Sequence, residues 1–194
     1  LIEPIAEKKK LILESALERI KNYGFHDCPM SKVAQNAGVA SGTIYTYFEN
    51  KDEMIIELFH YVKSLIHQRV SENDDPSLDF KQRFFNFWDS LQNLYLEKPS
   101  IQRFFEHFMN SPYNTPEIQL RKSEWHKWTD DFFEQGVQEG HLRPMNPKVI
   151  RMMVMGGVTS STRFLTTYNT LITEEEKTDL HYIPQMVWDG IKKQ

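Results

Sequence analysis

Apolar residues recur along the chain at intervals of three and four, with polar residues between them and glycine or proline at most of the breaks. That period belongs to helices. It predicts an all-α chain of about nine helices with no convincing strand. The first runs from about Glu7 to Tyr23, with Leu13, Ala16, Leu17 and Ile20 on one face and Gly24 as its stop. Met30, Val33, Ala34 and Ala37 mark a second, short helix that Gly38 ends, and a third begins almost at once. Asn50 is placed as an N-cap with Glu53 three residues on, the pattern of a capping box. It opens a long helix with Met54, Ile55, Leu58, Val62, Leu65 and Ile66 on its apolar face, reaching about Arg69.

SENDDPSLD, residues 71–79, is the one polar, proline-containing stretch long enough to join two cores. It sets the expected domains at 1–70 and 71–194. Beyond it, prolines divide helical patterns at roughly 77–97, 99–110, 115–139 and 147–168, and TEEEK opens a last helix over about 174–193.

VASGTIYTYFENKDEM, residues 39–54, carries an unusual density of hydroxyl-bearing side chains. Projected at 100° per residue, Ile44 and Phe48 fall together on the buried side, while Gly42 and Thr46 point the opposite way. Thr43 lies beside that outward centre, and Tyr45 and Tyr47 stand on the flanks. The exposed face is narrow in the middle and broad at its edges. A helix of that profile fits a major groove about 12 Å wide, its small centre against base edges and its flanking hydroxyls near phosphates. With the short helix before it and the tight turn AGVA between them, it forms a helix-turn-helix unit.

The stretch YGFHDCPMSKVAQNAGVASGTIYTYFENKDEM resembles the N-terminal signature of the TetR family of bacterial transcriptional regulators, over about Lys9 to Phe59. The resemblance implies a three-helix DNA-binding domain followed by a larger helical ligand-binding and dimerisation domain. It implies that Ser41, Gly42, Thr43 and Thr46 face bases or nearby sugar-phosphate, and that Tyr45, Tyr47 and Lys51 contact phosphates. It further implies a homodimer on a palindromic operator of double-stranded DNA, released by a small-molecule effector, with the last two long helices forming the dimer interface. Val154, Val158, Ile183, Val187, Trp188 and Ile191 are the residues expected there. The chain departs from the family pattern at Cys28 and Ala40, where many relatives have a hydroxyl that caps a helix, and at Ser41, often a lysine. Asp27 and Ser41 are expected to recover part of the capping.

Charge narrows how DNA could be held. The chain carries a net charge of −4, but residues 1–70 hold nine basic and nine acidic side chains, so the negative excess lies beyond them. Bulk electrostatics cannot attract a duplex, and contact must be local and geometric. The single cysteine, Cys28, excludes an intramolecular disulfide and fits a reducing compartment. No basic-plus-apolar leader opens the sequence, and its most apolar run, residues 152–158, is too short to span a bilayer. The expectation is a cytoplasmic protein with no membrane partner.

Ten of thirteen phenylalanines and all four tryptophans lie beyond residue 70, so the aromatic surplus belongs to the part that does not read DNA. Helices with aromatic residues on several faces are enclosed, or line a cavity. Trp88, Phe104, Phe108, Trp125, Trp128, Phe132 and Met152 are the candidate effector-binding residues, with Asp89, Glu106 or Asp130 as polar anchors. Such a pocket favours hydrophobic, aromatic or cationic compounds. Catalysis is not expected. Cys28 and His26 need not face each other, His60 and His67 lack a third metal ligand, and GGVTSST at 156–162 has no phosphate-loop lysine. No cofactor or metal is expected. The rival reading on the same fold is an architectural or cell-division DNA-binding protein that needs no ligand.

Overall fold

A computed structural model of the chain describes residues 6–120, 123–168 and 170–194. Residues 121 and 122 of the helix expected over 115–139 lie outside that description. Among the described residues there is no strand, and the helices are α1 (Glu7–Tyr23), α2 (Met30–Asn36), α3 (Ser41–Ile44), α4 (Lys51–Glu72), α5 (Phe80–Glu97), α6 (Pro99–Met109), α7 (Pro116–Leu120), α8 (Glu124–Gln138), α9 (Pro147–Thr167), α10 (Glu174–Leu180) and α11 (Ile183–Ile191). The all-α class is as the periodicity predicts. The added segments come from local breaks. The expected helix over 174–193 is split at Leu180–Ile183, because Pro184 lacks an N–H and is tolerated only in the first turn of a new helix, α11.

Cα packing divides the chain into two compact units: residues 1–63 with 98–121, and residues 64–97 with 122–194. In the first, α1 buries Ile12, Leu13, Ala16, Leu17 and Ile20. Val33 and Ala34 of α2, Ile44 of α3, and Met54, Ile55 and Leu58 of α4 are buried in the same unit. From α6, Phe108 stacks on Phe59 with ring centres 4.0 Å apart, and Phe104 meets Phe25 edge-on at 5.9 Å. A polar cluster ties three elements together: the Glu14 carboxylate accepts from the Tyr61 hydroxyl and, at 2.5 Å, from the Lys98 ammonium. Burial and the hydrogen bond to Glu14 both push the Tyr61 phenol upward, so it stays a donor.

The second unit is built on α5, α8, α9 and α11. Phe84, Phe87, Trp88 and Leu91 of α5, Phe132 and Phe133 of α8, Val154 and Val158 of α9, and Trp188 and Ile191 of α11 are all buried. Close approach at Gly157 is required, since a Cβ there would stand 2.8 Å from the Trp88 ring and 3.2 Å from Val187. A nearly buried ion pair lies inside this unit. Arg83 donates to both oxygens of Asp74, at 2.8 and 2.9 Å, and to Gln135 at 3.1 Å, which satisfies a guanidinium that is nearly buried.

Candidate nucleic-acid interface

Two backbone devices aim α3. Gly38 follows α2 with φ of 68°, and its N–H donates to the Gln35 carbonyl at 3.1 Å while the Val39 N–H donates to Ala34 at 3.0 Å. This is the pair of bonds by which a left-handed glycine closes a helix and turns the chain sharply. After α3, the Asn50 side chain accepts from the Glu53 N–H at 2.9 Å and starts α4. The reciprocal half of the expected capping box differs: the Glu53 carboxylate reaches the N–H of Glu49, at 2.5 Å, rather than that of Asn50.

Between these fixed ends α3 has one regular turn, Ser41–Ile44, continued by tighter bonds from Thr46 N–H to Thr43 and from Tyr47 N–H to Ile44 and by an α-type bond from Phe48 N–H to Ile44, each at 3.1 Å. Ile44 and Phe48 are buried and hold the segment to the unit. Ser41, Gly42, Tyr45 and Thr46 are exposed, and Thr43 and Tyr47 are half-buried on the flanks. The Thr46 hydroxyl donates to the Thr43 carbonyl at 2.7 Å, which fixes its rotamer and leaves its oxygen and methyl outward. Lys51 is anchored by one N–H to the His26 carbonyl at 3.2 Å. Gly42 has open space where a side chain would project, with no heavy atom within 4 Å of an added Cβ. Nothing inside the molecule demands glycine there.

The capping departures resolve simply. Ala40 and Pro29 stand at the N-caps of α3 and α2, and neither helix receives a side-chain cap. Asp27 faces Arg19 at 3.6 Å instead, and Ser41 lies inside the helix. Cys28 is buried, and burial pushes its thiol up to about 11, a packing group rather than a nucleophile. Of the N-terminal lysines, Lys9 is paired with Glu57 at 2.9 Å. Among the described residues no cluster of His, Cys, Asp or Glu could hold a metal ion, and no helix is long and apolar enough to cross a membrane.

Residues 12–58 match the family model described as "Bacterial regulatory proteins, tetR family". Those residues are a TetR-family DNA-binding segment. Over 154 residues it is 29% identical to a Bacillus subtilis protein named as the uncharacterized HTH-type transcriptional regulator YhgD, covering 77% of this chain and 79% of that one. A TetR family transcription regulator from Marinobacter aquaeolei shares its fold with a TM-score of 0.84 at 23% identity, over 96% of each chain. The Bacillus subtilis regulator FadR, solved in complex with stearoyl-CoA, superposes with a TM-score of 0.72 at 22% identity, over 93% of this chain and 95% of that one. These relatives are named as transcriptional regulators, and the chain shares the fold of the TetR-family structures.

The effector candidates are placed apart. Phe104 and Phe108 are spent in the core of the first unit, against Phe25 and Phe59. In the second, Trp88 is wholly buried against Gly157, and Trp125, Trp128 and Phe132 stack on Phe87 with ring centres 5.7 to 6.2 Å away. Met152 is 69% exposed and lines no interior. Asp130 is neutralised by Arg151 at 2.5 Å, and Glu106 is within 3.4 Å of the Gln102 amide. The dimer residues also need correcting. Val154, Val158, Trp188 and Ile191 are already buried within the chain, whereas Ile183 and Val187 are half-buried.

Proposed function

We propose that this TetR-family regulator is a homodimeric repressor of transcription that binds a palindromic operator in double-stranded DNA and leaves it when a small hydrophobic or aromatic effector binds. Residues 1–70 read DNA in this account, and residues 71–194 take the effector and dimerise. One observation carries the reading: the α3 segment exposes a glycine that the fold does not need, centred in a face of hydroxyl groups, above two buried anchors. A glycine retained in a helix costs roughly 0.5–1 kcal/mol relative to alanine, so its retention is accounted for by close approach of something outside the molecule. The depth of a major groove supplies that object.

Ser41, Gly42, Thr43 and Thr46 are assigned to bases and adjacent sugar-phosphate, and Tyr45, Tyr47 and Lys51 to phosphates. Dimerisation is assigned to the exposed apolar faces of α9 and α11, where Met152, Met153, Phe164 and Met186 remain uncovered in one chain. Gly156 lies on the same helix with open space above it, which would let a second helix approach. A two-fold pair of reader helices implies a two-fold operator. Effector release follows if the effector prefers a dimer whose half-site spacing no longer matches. The stearoyl-CoA bound by FadR supports a hydrophobic effector.

The test is selection of bound fragments from random DNA, then competition by a panel of hydrophobic compounds. A recovered palindrome and a compound that both raises thermal stability and lowers DNA affinity are expected. Sequence-independent binding that no compound changes would favour the ligand-independent architectural reading.

A further inference from the structure

In the second unit a cleft of about 560 Å³ opens between α5, the end of α9 and the corner where α10 gives way to α11. It lies within the size range of small-molecule sites. Phe85, Asp89, Gln92 and Leu96 recur at three- and four-residue spacing and form one wall from a single face of α5. Leu165, Leu180 and Pro184 face them from the other elements. The walls are apolar or amide except for Asp89, Lys177 and His181. Lys177 is held by Glu174 at 2.6 Å. Arg69, in an adjoining hollow that Asp89 also lines, is taken by both oxygens of Glu97 at 3.2 and 2.5 Å. Lys81 sits over the Phe85 ring, 6.0 Å from its centre. Asp89, the acid that lines the cleft, has neither hydrogen bond nor ion pair among the described residues.

Asp89 is exposed, so its carboxyl is not stranded. Its carboxyl is nonetheless held above the ordinary carboxylate range by partial desolvation, with no neighbouring cation to offset it. A bound cation would remove that cost and a bound anion would increase it.

We propose that this cleft is the effector site and that it takes an organic cation with an apolar body, a protonated alkyl- or arylamine. The ammonium pairs with Asp89, the Gln92 carbonyl accepts a second N–H, and the body lies against Leu96, Leu165 and Leu180. The proposal rests on the ligand-responsive reading above and names the class of ligand for it. The cleft is suited to that role because α9, α10 and α11 form three of its sides, and α9 and α11 carry the face assigned to the second subunit.

The test uses the full chain and three probes of one shape: phenylbutylamine, phenylbutanol and phenylbutyrate, titrated by calorimetry. The amine is expected to bind roughly tenfold or more tightly than the alcohol and the acid, and Asp89→Asn to abolish that preference, since an interaction with a charged group is worth about 1.5–3 kcal/mol, or a factor of ten and above. Leu180→Ala is expected to weaken amine and alcohol alike. Circular dichroism and melting of both variants report folding independently. Failure of the amine to bind at millimolar concentration, equal binding to Asp89→Asn, or tighter binding of the acid would overturn the proposal. Operator affinity is measured in parallel. A different compound that releases DNA without needing Asp89 would defeat the cleft assignment and leave the ligand-responsive reading standing. Asp89-dependent amine binding that leaves DNA affinity unchanged would defeat the effector role.

Discussion

The ammonium of Lys63 lies 4.2 Å from the centre of the Phe59 ring, almost wholly buried and without a hydrogen-bond partner. The ring face attracts the cation but replaces only part of its lost hydration. Burial accordingly lowers Lys63 from the ordinary lysine value of 10.5 to about 8. Below about pH 8 the group is protonated folded and unfolded, and the desolvation penalty is constant. Between about pH 8 and 10.5 the unfolded chain binds the extra proton, so stability rises with pH across that window. Lys63→Met should remove the penalty and stabilise the protein at pH 7, by on the order of 1–3 kcal/mol at about 1.4 kcal/mol per pH unit. It should also flatten the alkaline rise. Urea unfolding at pH 7 and pH 10 checks both.

Gly42→Ala separates fold from function. With open space around its Cβ position, alanine should leave the fold intact and stabilise it by up to about 1 kcal/mol. DNA affinity should nevertheless fall, because the methyl group occupies the centre of the reading face. Urea melts and a DNA-binding titration on one preparation give the two signs.

Side chains around that centre should divide by role. Tyr45→Phe and Lys51→Ala should weaken binding to all DNA sequences by similar factors, since phosphates carry no sequence information. Thr46→Ala and Ser41→Ala should change preference at particular base pairs, by about 1–3 kcal/mol each. Uniform losses from all four would undo the assignment. Few lysines border α3, and Lys9 is held by Glu57, so the salt dependence should be shallow at about 0.9 in log–log slope per neutralised phosphate.

The two adjacent glycines of α9 should behave oppositely. Gly157→Ala drives a methyl group into Trp88, 2.8 Å away, and should cost about 1–3 kcal/mol of stability. Gly156→Ala meets nothing within the chain. A larger change on the uncovered face, Met152→Asp, should leave the subunit folded and shift dimer to monomer, as light scattering after size exclusion would show.

Local chemistry was legible where one short segment decides it. The limits of α1, the glycine turn before α3 and the burial of Ile44 and Phe48 all follow from side-chain period and backbone freedom within a few residues. The end of α3 did not, because the tightening after Ile44 carries no mark in periodicity. The aromatic candidates were legible only in part. Spacing tells that Phe104 and Phe108 face inward but not which core receives them, and α6 delivers them to the first unit. Met152 and Val154 show the same limit, since they are both apolar on nearly opposite sides of α9 and only packing decides which of them is covered. Pro184 was a usable signal for the break between α10 and α11. Nothing in the pattern around Asp89 marks it as an acid left without a partner, because that depends on where Lys177 and Arg69 turn.

Selection of duplexes from a random pool, by wild type and Thr46→Ala in parallel, tests the reading of α3 most directly. The account predicts a two-fold symmetric site for the wild type and altered bases at symmetry-related positions for the variant. Recovery of the same sequences by both proteins, or of no common sequence by either, would contradict it.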